Sequence, residues 1–185
     1  MLLFPSIADY RSINVMEFKY FKNPDKFAFL TSEPEACSVC GKLEVCFDAG
    51  GYSGINSIDC ICFECLASGK LIDLDIEPNM IFDDGSEASK TITYKTPALP
   101  TWQETAWPTI KGRQPTFECI ASKQDFLNKQ DFLDCFIEDN QTREEVEWIW
   151  DTLPDKKLSS YEDASDISVY LFSLDNKKYW VWDAN

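Results

Sequence analysis

Cys37-Ser38-Val39-Cys40 and Cys62-Phe63-Glu64-Cys65 form two Cys-x-x-Cys knuckles with 21 residues between them, in a chain that has no histidine. Four thiolates at this spacing read as one tetrahedral zinc site. The absence of histidine removes an imidazole ligand, a catalytic triad base and an imidazole proton shuttle. The knuckles therefore point to a closed, structural metal. The rival reading is a redox-active or merely buried set of thiols. It is the weaker one, because redox Cys-x-x-Cys motifs come singly, at the start of a helix that follows a strand.

Working outward, each knuckle is expected on a tight turn whose backbone amides face the sulfurs. Gly41, directly after Cys40, suits the left-handed position of such a turn. Leu43 to Phe47 reads as a strand, Gly50-Gly51 as a bend, and Ile58 to Ile61 as a returning strand. Cys65-Leu66-Ala67-Ser68 reads as a short helix stopped by Gly69. Knuckle, hairpin, knuckle and short helix is a zinc-ribbon or treble-clef-like order. Cys60 lies two residues before Cys62, where strand alternation puts both on one face, so it could replace a ligand or sit behind one. Cys46, Cys119 and Cys135 read as small core residues.

Before the first knuckle, Glu17-Phe18-Lys19-Tyr20-Phe21 reads as an aromatic strand and Asn23-Pro24-Asp25 as a turn. Met16 is a candidate alternative start, which would make 1–15 a loosely attached extension; the rival is an extra strand or helix. Residues 71–90 are acidic and turn-rich and read as a linker or exposed loop. Thr91-Ile92-Thr93-Tyr94 has strand residues. Lys123-Gln124-Asp125-Phe126-Leu127 recurs as Lys129-Gln130-Asp131-Phe132-Leu133. A six-residue repeat turns a helix by about 600°, which separates the two phenylalanines. The repeat reads as chance within one helix from about 123 to 137, capped by Ser122 with Asp125. Thr142 and Glu145 make a capping box for a helix carrying Val146, Ile149, Trp150 and Leu153 on one face and ended by Pro154. Ile167 to Phe172 and Tyr179 to Trp182 read as a hairpin around Asp175-Asn176-Lys177. The pairs Trp148/Trp150 and Trp180/Trp182 read as core.

The expected fold is α+β: a zinc-ribbon or treble-clef-like four-cysteine module over 16–90, an α+β part over 91–185 packed with it, and the 1–15 extension. At 185 residues such a chain can bury a real core. No apolar run reaches the ~20 residues of a membrane span. The start lacks the basic n-region of a signal peptide. Cytoplasm is the expected compartment, where eight cysteines serve as metal ligands and buried thiols instead of disulfides.

The net charge is −15, from 17 basic and 32 acidic residues. Such a chain would meet phosphate backbones with like charge, so direct nucleic-acid binding is not expected. A basic protein partner fits better. The candidate partner-binding residues are Asp73, Asp75, Asp83, Asp84 and Glu87; the plain alternative is a solvated acidic face. There is no GxSxG, HExxH or phosphate-binding loop, so an enzyme is not expected.

The knuckles and several flanking segments resemble the CbrC family, small bacterial proteins named for a link to colicin tolerance. The matching stretches are Phe18-Lys19-Tyr20, Asn23-Pro24, the first knuckle with Gly41, Cys62 through Gly69, Thr96-Pro97-Ala98, Trp102-Gln103-Glu104 and Trp107. They cover about 17–110, with a weaker likeness over 165–184. There Tyr170-Leu171-Phe172 and Tyr179-Trp180-Val181-Trp182-Asp183 match, while Ser173-Leu174-Asp175-Asn176 stands where the family has a further Cys-x-x-Cys. Pro108-Thr109-Ile110-Lys111 likewise replaces a His-Cys or Cys-Cys pair, so a second metal site is not expected. The resemblance implies one structural zinc ion, no known enzymatic activity, and a loose association with tolerance of nuclease-type bacteriocins. The functional expectation is an immunity or tolerance protein that neutralises a basic toxin, a nuclease above all, through an acidic surface. The alternative is a zinc-stabilised regulatory or stress-response adaptor.

Overall fold

The computed structural model describes residues 17–184 except 104, 139 and 140. The 1–15 extension and the candidate start at Met16 lie outside the described residues. Helices and strands are mixed along the chain, as an α+β fold requires.

The first knuckle is the loop of a small antiparallel pair, β1 (Glu35–Ala36) with β2 (Leu43–Glu44). Gly41 has φ 73°, the left-handed value the turn needs. The strand expected over 43–47 is divided, because the chain changes partner after Glu44. β3 (Phe47–Asp48) pairs instead with β5 (Cys60–Ile61), in the register Phe47 to Ile61 and Asp48 to Cys60. β5 delivers the second knuckle to the start of α2 (Phe63–Ala67). Gly69, with φ 79°, ends that helix: its N–H reaches the Leu66 carbonyl, and the Lys70 N–H reaches that of Cys65. This is the Schellman arrangement.

Of the linker or exposed loop expected over 71–90, residues 82–85 are exposed and irregular, but the rest is built into the fold. Leu71 and Ile76 are fully buried, and β6 (Ile76–Glu77) pairs with β4 (Ser53–Gly54). Gly54 sits so close that a Cβ would lie 2.1 Å from the Asp75 carbonyl oxygen. Thr91–Tyr94, expected as a strand, belongs to α3 (Glu87–Lys95). The Ser86 hydroxyl caps it by accepting from the Ser89 N–H at 3.0 Å, and Ser89, Ile92 and Thr93 form its buried face. The cap and that i, i+3, i+4 face outweigh the modest helix penalty of β-branched residues.

The aromatic segment 17–21 is not a strand. It makes a single parallel bridge from Phe21 to Phe117 and then enters α1 (Pro24–Phe27) through Asn23, whose φ is 50°. Its rings face two ways. Phe18 packs edge-on to Phe47 and Phe63 at 5.6 and 5.0 Å, and Phe21 lies 4.7 Å from Phe117. This short stretch therefore joins the cysteine module to the sheet of the second half.

That sheet has three strands, in the order β7 (Thr116–Ile120), β8 (Ile167–Leu174), β9 (Lys177–Ala184), all antiparallel. β7 was not foreseen. The β8–β9 hairpin was, and it turns through Asp175 and Asn176 at φ 52° and 60°, the two positive values of a type I′ turn.

The helix expected over 123–137 is broken into a 3-10 turn at Lys123–Asp125 and α4 (Lys129–Asp134). The six-residue repeat explains the break. Each copy follows a capping residue, Ser122 in one and Asn128 in the other, so each starts its own turn. The separation of the two phenylalanines expected from a continuous helix is also overturned: Phe126 and Phe132 meet edge-on at 5.1 Å. The Thr142–Glu145 capping box is present and opens α5 (Arg143–Val146), followed after a short interruption by α6 (Ile149–Thr152). Trp180 is fully buried and stacked on Phe132 at 4.2 Å, whereas Trp148 is nearly half exposed.

Two apolar clusters result. The larger runs from the cysteine module through Trp107 and Phe117 to Tyr170 and Phe172. The smaller joins α4, α5 and α6 to the outer face of the sheet around Trp180. Among the described residues no helix is long and apolar enough to cross a membrane.

Candidate metal centre

Cys37, Cys40, Cys62 and Cys65 are brought together with all four sulfurs within 4.8 Å of one another, and the group could hold a metal ion. The local backbone explains the convergence. Gly41 N–H bonds the Cys37 carbonyl at 2.8 Å and Cys37 N–H bonds that of Lys42 at 3.0 Å, which closes the first knuckle. Ser38 ties the knuckle to β5: its N–H donates to the Cys60 carbonyl, and its hydroxyl accepts from the Cys60 N–H. In the second knuckle Cys62 is the residue before α2 and Cys65 lies in its first turn. The two pairs meet across 3.7 Å between the Cys40 and Cys62 sulfurs.

Cys37, Cys62 and Cys65 are buried and Cys40 is exposed. Burial raises the Cys37 thiol, but N–H groups of Cys62, Cys40 and Val39 outweigh it, leaving this thiol lowered to about 7. The Cys62 N–H lies 3.3 Å from its sulfur. An amide aimed at sulfur stabilises a thiolate, which is the form that binds metal. Burial pushes Cys65 up to about 11 and Cys62 up as well. A cation held among the four sulfurs would offset that burial cost.

Cys60 lies outside the group. Its thiol points to the Ala36 carbonyl at 3.5 Å, and the Cys46 thiol points to that of Glu35 at 3.8 Å. Both are fully buried behind β1, which fixes the strand leading into Cys37. Cys119 and Cys135 are partly buried and distant from the group.

The five acidic candidates are all exposed but not equivalent. Asp83 accepts from Gly85 N–H and the Ser89 hydroxyl, and Asp84 accepts from Ser86 N–H and Gln114. The Ser86 contacts lead in holding the Asp84 carboxyl down at about 2. These two carboxylates thus shape the turn before α3. Asp75 carries a positive φ of 54° at the end of the turn that precedes β6.

Other residues in this region carried no motif. Asn79 is buried between α3 and the segment that follows it. Its Nδ2 donates to the carbonyls of Ile92, Thr96 and Pro97 at 3.0–3.2 Å, and its Oδ1 accepts from Leu99 N–H at 3.0 Å. Asp183, near the end of β9, is 5% exposed and accepts from the N–H groups of both Trp102 and Gln103. Asn79 and the Trp102 loop border a cleft of about 640 Å³ beside β3. An isolated asparagine gives no sequence signal for such a role. Asp183 gives one only through the aromatic-Trp-Asp pattern in which it stands.

These features define an α+β protein with a four-cysteine group that could hold a metal ion. The chain belongs to the uncharacterised protein family UPF0167, whose model matches residues 15–183. No curated protein and no solved structure matches it.

Proposed function

We propose that this is a non-catalytic, zinc-stabilised binding protein of the CbrC type, which neutralises a basic bacterial toxin, a nuclease above all, in the cytoplasm. The observation that carries the reading is the pairing of a tetracysteine group with an acidic excess of 15 charges. Four thiolates and no histidine favour zinc and a closed coordination shell, hence a structural role. The acidic excess favours a cationic partner and fast, steered association. Asp73 and Asp75 are the carboxylates of the candidate surface best placed to face a partner, since Asp83 and Asp84 already serve the turn before α3 and Glu87 lies 3.8 Å from the Lys95 ammonium.

Metal content by elemental analysis and a pull-down from the native host, on one preparation, test the proposal. One zinc per chain with a stoichiometric basic toxin domain is the expected result. One zinc with no such partner would replace toxin neutralisation by the adaptor reading. A folded preparation without zinc would remove the metal from the account.

A further inference from the structure

The cleft beside β3 differs from the rest of the acidic surface. Phe29, Tyr52, Met80 and Trp102 line it, together with the carboxylate residues Asp48 and Glu77. No lysine or arginine lines it among the described residues. The other large cleft, about 600 Å³, is lined by two carboxylate residues as well, Glu118 and Asp125, but there Lys26, Lys157, Lys177 and Lys178 accompany them. Carboxylates without a basic countercharge in the lining are therefore what sets the first cleft apart.

Two of its apolar side chains are left in solvent. Trp102 is 68% exposed and Met80 is 53% exposed. Yet Trp102 is held in place. Its N–H and that of Gln103 donate to Asp183 Oδ2 at 3.2 Å each, and its ring meets Phe29 edge-on at 5.8 Å. The carboxylates are held too. Asp48 accepts from Gly50 N–H at 2.9 Å, and Glu77 accepts from the Tyr94 hydroxyl at 3.0 Å. Each bond occupies one oxygen, and an ionised carboxylate has acceptor capacity for more. An anchored backbone under the indole and carboxylates that are already bonded lower the ordering cost of binding.

We infer that this cleft is a receptor for an arginine side chain, presented by the basic protein partner. Aromatic faces attract a cation through their quadrupoles. A guanidinium adds a planar, weakly hydrated surface that stacks on indole or phenol, and a fork of N–H groups that fits carboxylates. An ammonium is more strongly hydrated and lacks that plane. An anionic ligand would meet two carboxylates without a countercharge. The inference deepens the proposed function and rests on it for the identity of the arginine's owner.

The probe is the tripeptide acetyl-Gly-Arg-Gly-amide, titrated into metal-loaded full-length protein while the Trp102 indole N–H is followed by NMR. Its neutral isostere, with citrulline in place of arginine, is the control. The expected result is a saturable Trp102 shift with the arginine peptide, at least tenfold weaker with citrulline. Asp48→Asn and Glu77→Gln should each weaken binding several-fold, and each retains an oxygen to accept from its present donor, the Gly50 N–H or the Tyr94 hydroxyl. Trp102→Ala should abolish binding while the remaining indole signals keep their positions. No shift, or equal affinity for both peptides, overturns the arginine site. The pull-down separates this from the parent reading. A toxin captured equally by wild type, Asp48→Asn and Trp102→Ala would sink the cleft and leave toxin neutralisation intact. Arginine-selective binding without any toxin would leave the site standing and remove that reading.

Discussion

Replacing Asn79 by alanine tests whether one buried amide holds α3 to the segment after it. The side chain is 6% exposed and bonded at both ends. Its two amide protons are shared among the carbonyls of Ile92, Thr96 and Pro97, and its oxygen receives the Leu99 N–H. Three acceptors share two protons, so the loss amounts to about three hydrogen bonds. At a net value of roughly 1–1.5 kcal/mol each, the cost is about 3–4.5 kcal/mol. For a chain of this size that lowers Tm by roughly 6–18 °C. The assay is urea or thermal unfolding at fixed metal load. Asn79→Asp gives a second reading: it keeps an acceptor for Leu99 but turns a carboxylate oxygen toward carbonyls, so it should cost at least as much as alanine. A loss below about 1 kcal/mol for both variants would refute the role assigned to this residue.

Cys37→Ser should abolish stoichiometric metal binding, read by elemental analysis, and should open the module to proteolysis, because metal binding and folding are coupled in such sites. Trp180→Ala should destabilise the chain by about 3–5 kcal/mol in denaturant titrations, through the cavity left against Phe132. Gly54→Ala should prevent or severely weaken folding, since its Cβ would meet the Asp75 carbonyl oxygen at 2.1 Å; soluble yield and Tm would report this. Asp125 supplies a pH test. Burial raises its carboxyl, but bonds from Ser122 and Lys157 outweigh that and leave it lowered. A depressed carboxylate stabilises the fold above its unfolded value near 3.9, and that stability is lost as pH falls. The stability gap between wild type and Asp125→Asn should therefore be full at neutral pH and shrink below about pH 4.

The parts of this fold legible in the sequence are those decided by neighbouring residues. The knuckles, the stop at Gly69, the capping boxes at Ser122 and Thr142, and the Asp175-Asn176 hairpin each depend on chemistry within a few positions. The parts that were not legible depend on partners far along the chain. Thr91–Tyr94 has strand-forming residues, but Asn79 and the Ser86 cap make it helical. Phe18, Tyr20 and Phe21 look like a strand, but they are buried against two different surfaces. The break before α4 was visible in principle, since Asn128-Lys129-Gln130-Asp131 repeats the logic of Ser122-Lys123-Gln124-Asp125. The candidate site divides the same way. Its four sulfurs follow from spacing, whereas the cleft draws on residues from 29 to 183 and has no local signature.

The placement of Trp180 has a consequence for biosynthesis. The four clustered cysteines span 37 to 65, so both knuckles of a nascent chain are available while most of the second half is still unmade. The cluster around Phe132 and Val146 cannot complete itself in that order. Its central indole comes from β9 and its sheet needs β8, so α4, α5 and α6 emerge from the ribosome with an open apolar face. During that interval the chain is most exposed to chaperones and proteases. A stalled or truncated product lacking β9 would carry the cysteine module on an unfinished body, a form that quality control should clear.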